Sequence, residues 1–200
     1  MMKLHNSPTS PFVRKVLIAA HERGLADQIE LTGPQTMENG ELRAYNPLEK
    51  VPALVLDDGT ALYDSLVIVS YLDGLGSGPQ LIPGDHAART TVLRRHALAD
   101  GIMEAGVASV METRRPDDKI WSDAINRQRG KIQRAIDALE GEIEAMGDAV
   151  DLSTISTGAA LGYVDFRLGD LGWRDGHPKL AAWYEAFAKR PSMVGTTPPG

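Results

Sequence analysis

The sequence contains no cysteine in its 200 residues. That absence excludes disulfides, cysteine-ligated zinc, iron–sulfur clusters and any protein-borne thiol nucleophile. Sulfur chemistry, if the protein performs any, arrives with a ligand. Basic residues are in deficit as well: 21 Lys and Arg against 27 Asp and Glu give a net charge of −6. A surface built to neutralise phosphates is therefore not expected, and nucleic acid is not an expected partner. Long apolar runs are also missing. The longest uncharged helical stretch, Leu152 to Val164, is too short to cross a bilayer, and the opening MMKLHNSPTSPF lacks the apolar centre of a signal peptide. A cytoplasmic location away from membranes is expected. What is present, 42% apolar and 24% charged residues, suffices for a core and is too apolar for disorder.

The first third reads as alternating strands and helices. Lys3 to Asn6 is a strand candidate, and from Pro11 to Arg23 the residues Phe12, Val13, Val16, Leu17 and Ala20 recur at helical spacing until Gly24 stops the helix. Gln28 to Leu31 reads as a second strand broken by Gly33 and Pro34, and Glu38 to Tyr45 as an irregular helix ended by Asn46 and Pro47. Ala53–Leu56 and Ala61–Tyr63 flank Asp57, Asp58 and Gly59, a hairpin signal. Ser65 to Asp73 is apolar nearly all round and so reads as a buried helix.

Residues 74–85, GLGSGPQLIPGD, read as a linker. The segment follows no strand and does not fit the dinucleotide fingerprint. Beyond it only helical stripes occur: Val92, His96, Ala99, Met103, Gly106 and Val110, then Ile125, Ile132, Ile136, Leu139, Ile143 and Met146. Asp151 is placed to cap a helix through Phe166, and Pro178 to open one over Lys179–Arg190 that Pro191 ends. The element order βαβαββα, followed by helices alone, predicts an α+β protein. Its expected parts are a thioredoxin-like N-terminal domain (1–75), a linker (76–86) and an all-helical bundle domain (87–200).

Three short stretches could carry chemistry. Thr9 and Ser10 precede Pro11, a good first helical residue, so one hydroxyl can cap the helix, or it can help the helix N-terminus stabilise an anion. Val51 and Pro52 open an apolar strand; a cis bond there would free Val51's backbone for an extended peptide ligand. Asp64 and Ser65 begin the apolar helix. They can cap it, or they can receive the ammonium and carboxylate of an amino-acid-like ligand end. The five histidines show no metal spacing and are expected mostly exposed, and no metal is expected.

Together and in this order SPTSPFVRKV, NPLEKVPAL and DSLVIVSYL resemble the glutathione transferase superfamily, and ALADGIMEAG, ALGYVDFRLG and HPKLAAWYEAFAKRPSMVGTTPP extend the resemblance across the chain. It looks like a bacterial member with a Ser/Thr-type active site. Where relatives place Ser or Thr at the cap of the sixth helix and Asp after it, this chain has Asp151 followed by Ser153 and Thr154; the cap is expected to survive with the acid moved forward. Ser10 stands where Cys-type relatives carry their thiol, so mixed-disulfide chemistry is not expected.

The resemblance implies glutathione as co-substrate, held by Thr9, Ser10, Phe12, Lys50, Val51, Pro52, Asp64 and Ser65, with Ser10 or Thr9 donating to its thiolate. Ser10 is slightly favoured because it directly precedes Pro11, and Ser7 is third. A small hydrophobic electrophile would lie near Met103, Val107, Val110, Met111, Arg114 and Tyr163. The resemblance also implies a homodimer, with the helix of Asp100 and Glu104 at its interface and an acidic residue there reaching the partner's glutathione. A catalytically quiet glutathione- or ligand-binding protein on the same fold is the alternative.

Overall fold

Strand β1 (Met2–His5) lies at the middle of a four-stranded sheet in the computed structural model, which describes residues 1–33 and 40–199. Its neighbours are β2 (Ile29–Thr32), parallel to it with Leu4 opposite Leu31, and β3 (Ala53–Val55), antiparallel with Leu4 opposite Leu54. β4 (Ala61–Leu62) closes the edge by pairing Leu62 with Leu54. Leu4 and Leu54 are fully buried. The parallel β1–β2 pair requires a crossover, and helix α1 (Pro11–Glu22) supplies it. α1 ends where Gly24 turns back at φ 68°, a conformation glycine adopts without a Cβ clash. Of the irregular helix expected from Glu38, Leu42–Tyr45 forms α2, whereas Pro34, Glu38 and Asn39 lie outside the described residues.

Helix α3 (Ser65–Leu75) is not buried all round. Ile68, Val69 and Leu72 face the core, but Val67 is 46% exposed and Leu66 half-buried, because only one side of the helix meets the sheet and α1. The Gly/Pro-rich connection after α3 is pinned. Asp73 accepts the backbone N–H of Leu81 and Ile82 at 2.7 and 3.0 Å, Arg23 donates to the carbonyls of Asp73, Gly76 and Gly78, and Leu81 and Ile82 are buried.

The helical half comprises α4 (His86–Thr113), α5 (Ser122–Met146), α6 (Leu152–Arg167), α7 (Pro178–Phe187) and α8 (Pro191–Val194). α6 is buried from Leu152 to Val164, as its uncharged sequence requires. Its start is a capping box: Asp151 accepts from the Ser153 and Thr154 backbone, and Thr154 Oγ1 accepts from the Asp151 N–H at 3.0 Å. Pro191 does not end the preceding helix, which already stops at Phe187; it opens α8, where its missing N–H is not needed. No helix among the described residues is long and apolar enough to cross a membrane.

Three histidines expected at the surface are buried: His5, His96 and His177. His177 shows why. Its Nδ1 lies 2.6 Å from the Trp173 carbonyl and its Nε2 2.8 Å from Asp137, both acceptors, so the ring donates from both nitrogens. Burial pushes its pKa down, the Asp137 and Trp173 bonds push it up, and the net shift is upward.

Candidate functional site

Two helix starts open into one cleft of ≈ 840 Å³ between the sheet domain and the helical half. α1 contributes Thr9, Ser10, Pro11 and Phe12; α3 contributes Tyr63, Asp64 and Ser65; the loop before β3 contributes Asn46, Leu48, Glu49, Lys50, Val51 and Pro52. On the far wall stand Asp100, Glu104, Val107, Ala108, Met111 and Arg114 from α4, with Tyr163 and Arg167 from α6. Residues separated by more than 150 positions in sequence thus face one another across open space.

Each helix start is organised by its cap. Ser10 Oγ accepts the Val13 N–H at 3.3 Å, which occupies a lone pair and leaves the hydroxyl proton free to donate. Asp64 Oδ1 accepts the Leu66 N–H at 3.0 Å. The positive end of α3 therefore meets a carboxylate that is itself exposed to the cleft, and Ser65 lines the cleft beside it. An ammonium and a carboxylate on adjacent atoms of a ligand would both find a partner there. The Val51–Pro52 peptide bond is cis.

The loop that presents this bond is built by a residue the sequence marked only as a terminator. Asn46 is buried; its Nδ2 donates to the Lys50 carbonyl at 2.7 Å, and its Oδ1 accepts the Leu48 N–H at 3.0 Å. Within this loop Glu49 adopts φ 52°, a left-handed conformation uncommon for a residue with a Cβ. Asparagine directly before Pro47, a pair that favours a turn closed by the asparagine side chain, is the signal that could have found it.

Met103 differs from the other residues expected to face an electrophile. It is fully buried in the core shared with α6 and is absent from the cleft wall, whereas Val107, Met111, Arg114 and Tyr163 line it. Val110 is half-buried against the same core. Asp100 is also committed elsewhere: it accepts from Lys15 Nζ at 2.6 Å. Lys15, on α1, has no exposed surface. Burial lowers its pKa, and Asp100 opposes that shift. His96 completes the cluster, with Nδ1 2.9 Å from Ser156 Oγ and Nε2 3.5 Å from Asp100. Burial, helped by the Lys15 charge, lowers its pKa to about 4. Among the described residues no group of three or more His, Cys, Asp or Glu could hold a metal ion.

Residues 9–75 match the model of the glutathione S-transferase N-terminal domain, and residues 122–186 that of the C-terminal domain. An uncharacterized GST-like protein of Escherichia coli K12, YibF, is 39% identical over 99% of both chains. The chain belongs to the glutathione S-transferase family. A glutathione transferase family member from Pseudomonas fluorescens Pf-5, solved with bound glutathione, is 45% identical, with a TM-score of 0.96 over 100% of both chains. A second structure from that organism, with bound S-(propanoic acid)-glutathione, is 44% identical, with a TM-score of 0.91 over 100% of this chain and 98% of that one. This transferase-family chain keeps the α+β architecture of its neighbours, a thioredoxin-like N-terminal domain followed by an all-helical one.

Proposed function

We propose that the chain is a glutathione transferase that binds glutathione in the cleft and holds its sulfur as a thiolate for attack on a hydrophobic electrophile. The observation that carries this reading is the convergence of the capped start of α1, the cis-proline loop and the Asp64–Ser65 start of α3 on one cleft. A pure scaffold has no physical need of that set, and glutathione-bound neighbours with this fold support it. Asp64 takes the ligand's ammonium, Ser65 and the α3 N-terminus its carboxylate, Val51 pairs with its extended backbone, and Lys50 faces a second carboxylate. Phe12 covers the thiol end.

Thiol activation is the step that requires energy. With a pKa of about 8.5, only about 3% of a thiol is ionised at pH 7. Lowering the pKa by about two units takes about 2.7 kcal/mol. One hydrogen bond to a charged group contributes roughly 1.5–3 kcal/mol, and a helix N-terminus adds about 0.3–1. The spare proton of Ser10, or the hydroxyl of Thr9, together with the start of α1 is sufficient. The thiol proton leaves to solvent and a C–S bond forms. An aryl halide then releases halide with its bonding pair, and an activated alkene takes a proton from water.

The test is thiolate absorbance of bound glutathione against pH. In Ser10→Ala the apparent pKa is expected to rise by about one to two units, the equivalent of the lost bond. An unchanged value there with a rise in Thr9→Ala assigns the role to Thr9. Absence of calorimetric glutathione binding at millimolar concentration overturns the reading and favours a binding module for another ligand.

The proposed partner is a second copy of the chain, and the proposed location the cytoplasm. A groove of ≈ 410 Å³ between α4 and α5 has a floor of small residues, including Ala97, Gly101 and Ala108, bordered by Leu98, Glu104, Gln128 and Lys131, and the small residues allow a partner helix close approach. Glu104 lies between this groove and the cleft, whereas Asp100 is occupied by Lys15.

A further inference from the structure

The electrophile end of the cleft is not uniformly apolar. Arg114 is the C-cap residue of α4, and Arg167 is the last residue of α6, one helical turn beyond Tyr163. A spacing of four residues puts Tyr163 and Arg167 on the same face. All three line the cleft beside Val107, Ala108 and Met111.

Among the described residues neither arginine forms an ion pair. Arg114 reaches only the Met111 sulfur, at 3.9 Å, and the Arg167 guanidinium lies 4.0 Å from the Phe166 ring centre. Most other arginines here have a carboxylate partner, as Arg94, Arg95, Arg115, Arg129, Arg174 and Arg190 do. The Tyr163 ring packs on Gly106, where a Cβ would come within 3.0 Å of it. Its hydroxyl has no hydrogen-bond partner among the described residues. Burial raises the phenol's pKa while both arginines act to lower it, so the hydroxyl stays protonated and donates near neutral pH.

The acidic residues of the cleft do not neutralise this corner. Asp100 is paired with Lys15, Glu49 with Arg43, and Asp64 caps α3 at the opposite end. Glu104 is ten residues before Arg114, about 15 Å along the helix. Two cations and a phenolic donor therefore border an apolar wall, and among the described residues no carboxylate is ion-paired with either cation.

We propose that Arg114, Arg167 and Tyr163 form an anion subsite, so that the preferred electrophile is an amphipathic acid: an apolar reactive body carrying a carboxylate or sulfonate. This rests on the glutathione reading, and it narrows "hydrophobic electrophile" to an anionic class. Charge-assisted bonds from a planar guanidinium suit a carboxylate, and the wall of Val107, Ala108 and Met111 takes the carbon body.

Binding separates the two readings without requiring turnover. Glutathione, S-propylglutathione and S-(2-carboxyethyl)glutathione are titrated calorimetrically into the protein; the last two differ chiefly in the terminal carboxylate. About tenfold tighter binding of the carboxyethyl compound than of the propyl compound is expected, with the preference shrinking as salt is raised. In the double variant Arg114→Gln/Arg167→Gln the ratio of the two dissociation constants is expected to fall to near one, and in Tyr163→Phe by a few-fold. Both arginines are exposed, and a circular dichroism melt of the double variant checks that it folds. Failure of all three ligands to bind overturns the glutathione reading. Binding of glutathione with equal affinity for the two S-substituted forms, or a preference that survives the double substitution, overturns the anion subsite alone.

Discussion

A lysine with no exposed surface is costly unless its charge is met, and Lys15 is met by Asp100 across the boundary between the two halves. Asp100→Asn removes the counter-charge and leaves the ammonium buried; unfolding in urea is expected to show a loss of about 2–4 kcal/mol. The double variant Lys15→Met/Asp100→Asn should recover part of that loss, because no charge is then stranded. His96, beside the pair, makes the same cluster acid-sensitive. Ser156 gives its proton to the Leu152 carbonyl, so His96 Nδ1 donates to Ser156 and the ring is held neutral by burial. With a folded pKa of about 4 against 6.5 when unfolded, its contribution is fully present above pH 6.5 and is lost as pH falls toward 4. Wild type is therefore expected to lose about 2–3 kcal/mol more than His96→Gln between those pH values in parallel urea titrations. Equal losses would remove His96 as the source.

Elements in this protein meet at glycines as much as at apolar stripes. At Gly162 in α6 a Cβ would lie 2.2 Å from Arg14 Nη1 and 3.0 Å from the Tyr184 hydroxyl, so the glycine admits a buried arginine that in turn donates to the Met193 carbonyl at 3.2 Å. Gly162→Ala is expected to cost about 1–3 kcal/mol through that overpacking. Gly141→Ala, in the exposed face of α5 with nothing within 4 Å of the new Cβ, should instead stabilise by about 0.5–1 kcal/mol from helix propensity. Thermal melts of the pair check both signs. Much at this scale was legible in the sequence. The Asp151 cap and the stripe from Ile132 to Met146 follow from capping preference and 3.6-residue periodicity, and both are observed. The exposed Val67 was not legible, since apolar composition alone does not say which faces of a helix are covered.

At the scale of the whole molecule, α1 joins the halves. Lys15 reaches α4, Arg14 reaches the Met193 carbonyl in α8, and Glu22 accepts both Arg190 nitrogens at 2.9 and 2.8 Å and the Ser192 hydroxyl at 2.5 Å. The helix that offers Ser10 to the cleft is thus fixed by charges at its middle and its far end. The α4–α5 groove supplies the remaining prediction. A Cβ at Gly101 meets nothing within 4 Å, so a large side chain there can be accommodated by a single copy. If the proposed dimer uses this groove, Gly101→Trp is expected to halve the apparent mass in gel filtration while leaving the far-UV circular dichroism of the chain unchanged. An unchanged dimer would exclude this groove as the interface.

The sequence by itself determined the order of the strands and long helices, the caps and the absence of a protein thiol, because each depends on neighbours within a few residues or on composition; it began the connection after α3 two residues too early, since Gly74 and Leu75 are still helical. It also marked Ser10, Pro52, Asp64 and Ser65, through the resemblance of the stretches that carry them to the glutathione transferase superfamily. The tertiary structure alone decided that Met103 belongs to the core and Arg167 to the cleft, that Asp100 neutralises Lys15, and that three histidines are buried. Those outcomes depend on which helix faces which, and a helical stripe gives the direction of a face without naming what it meets.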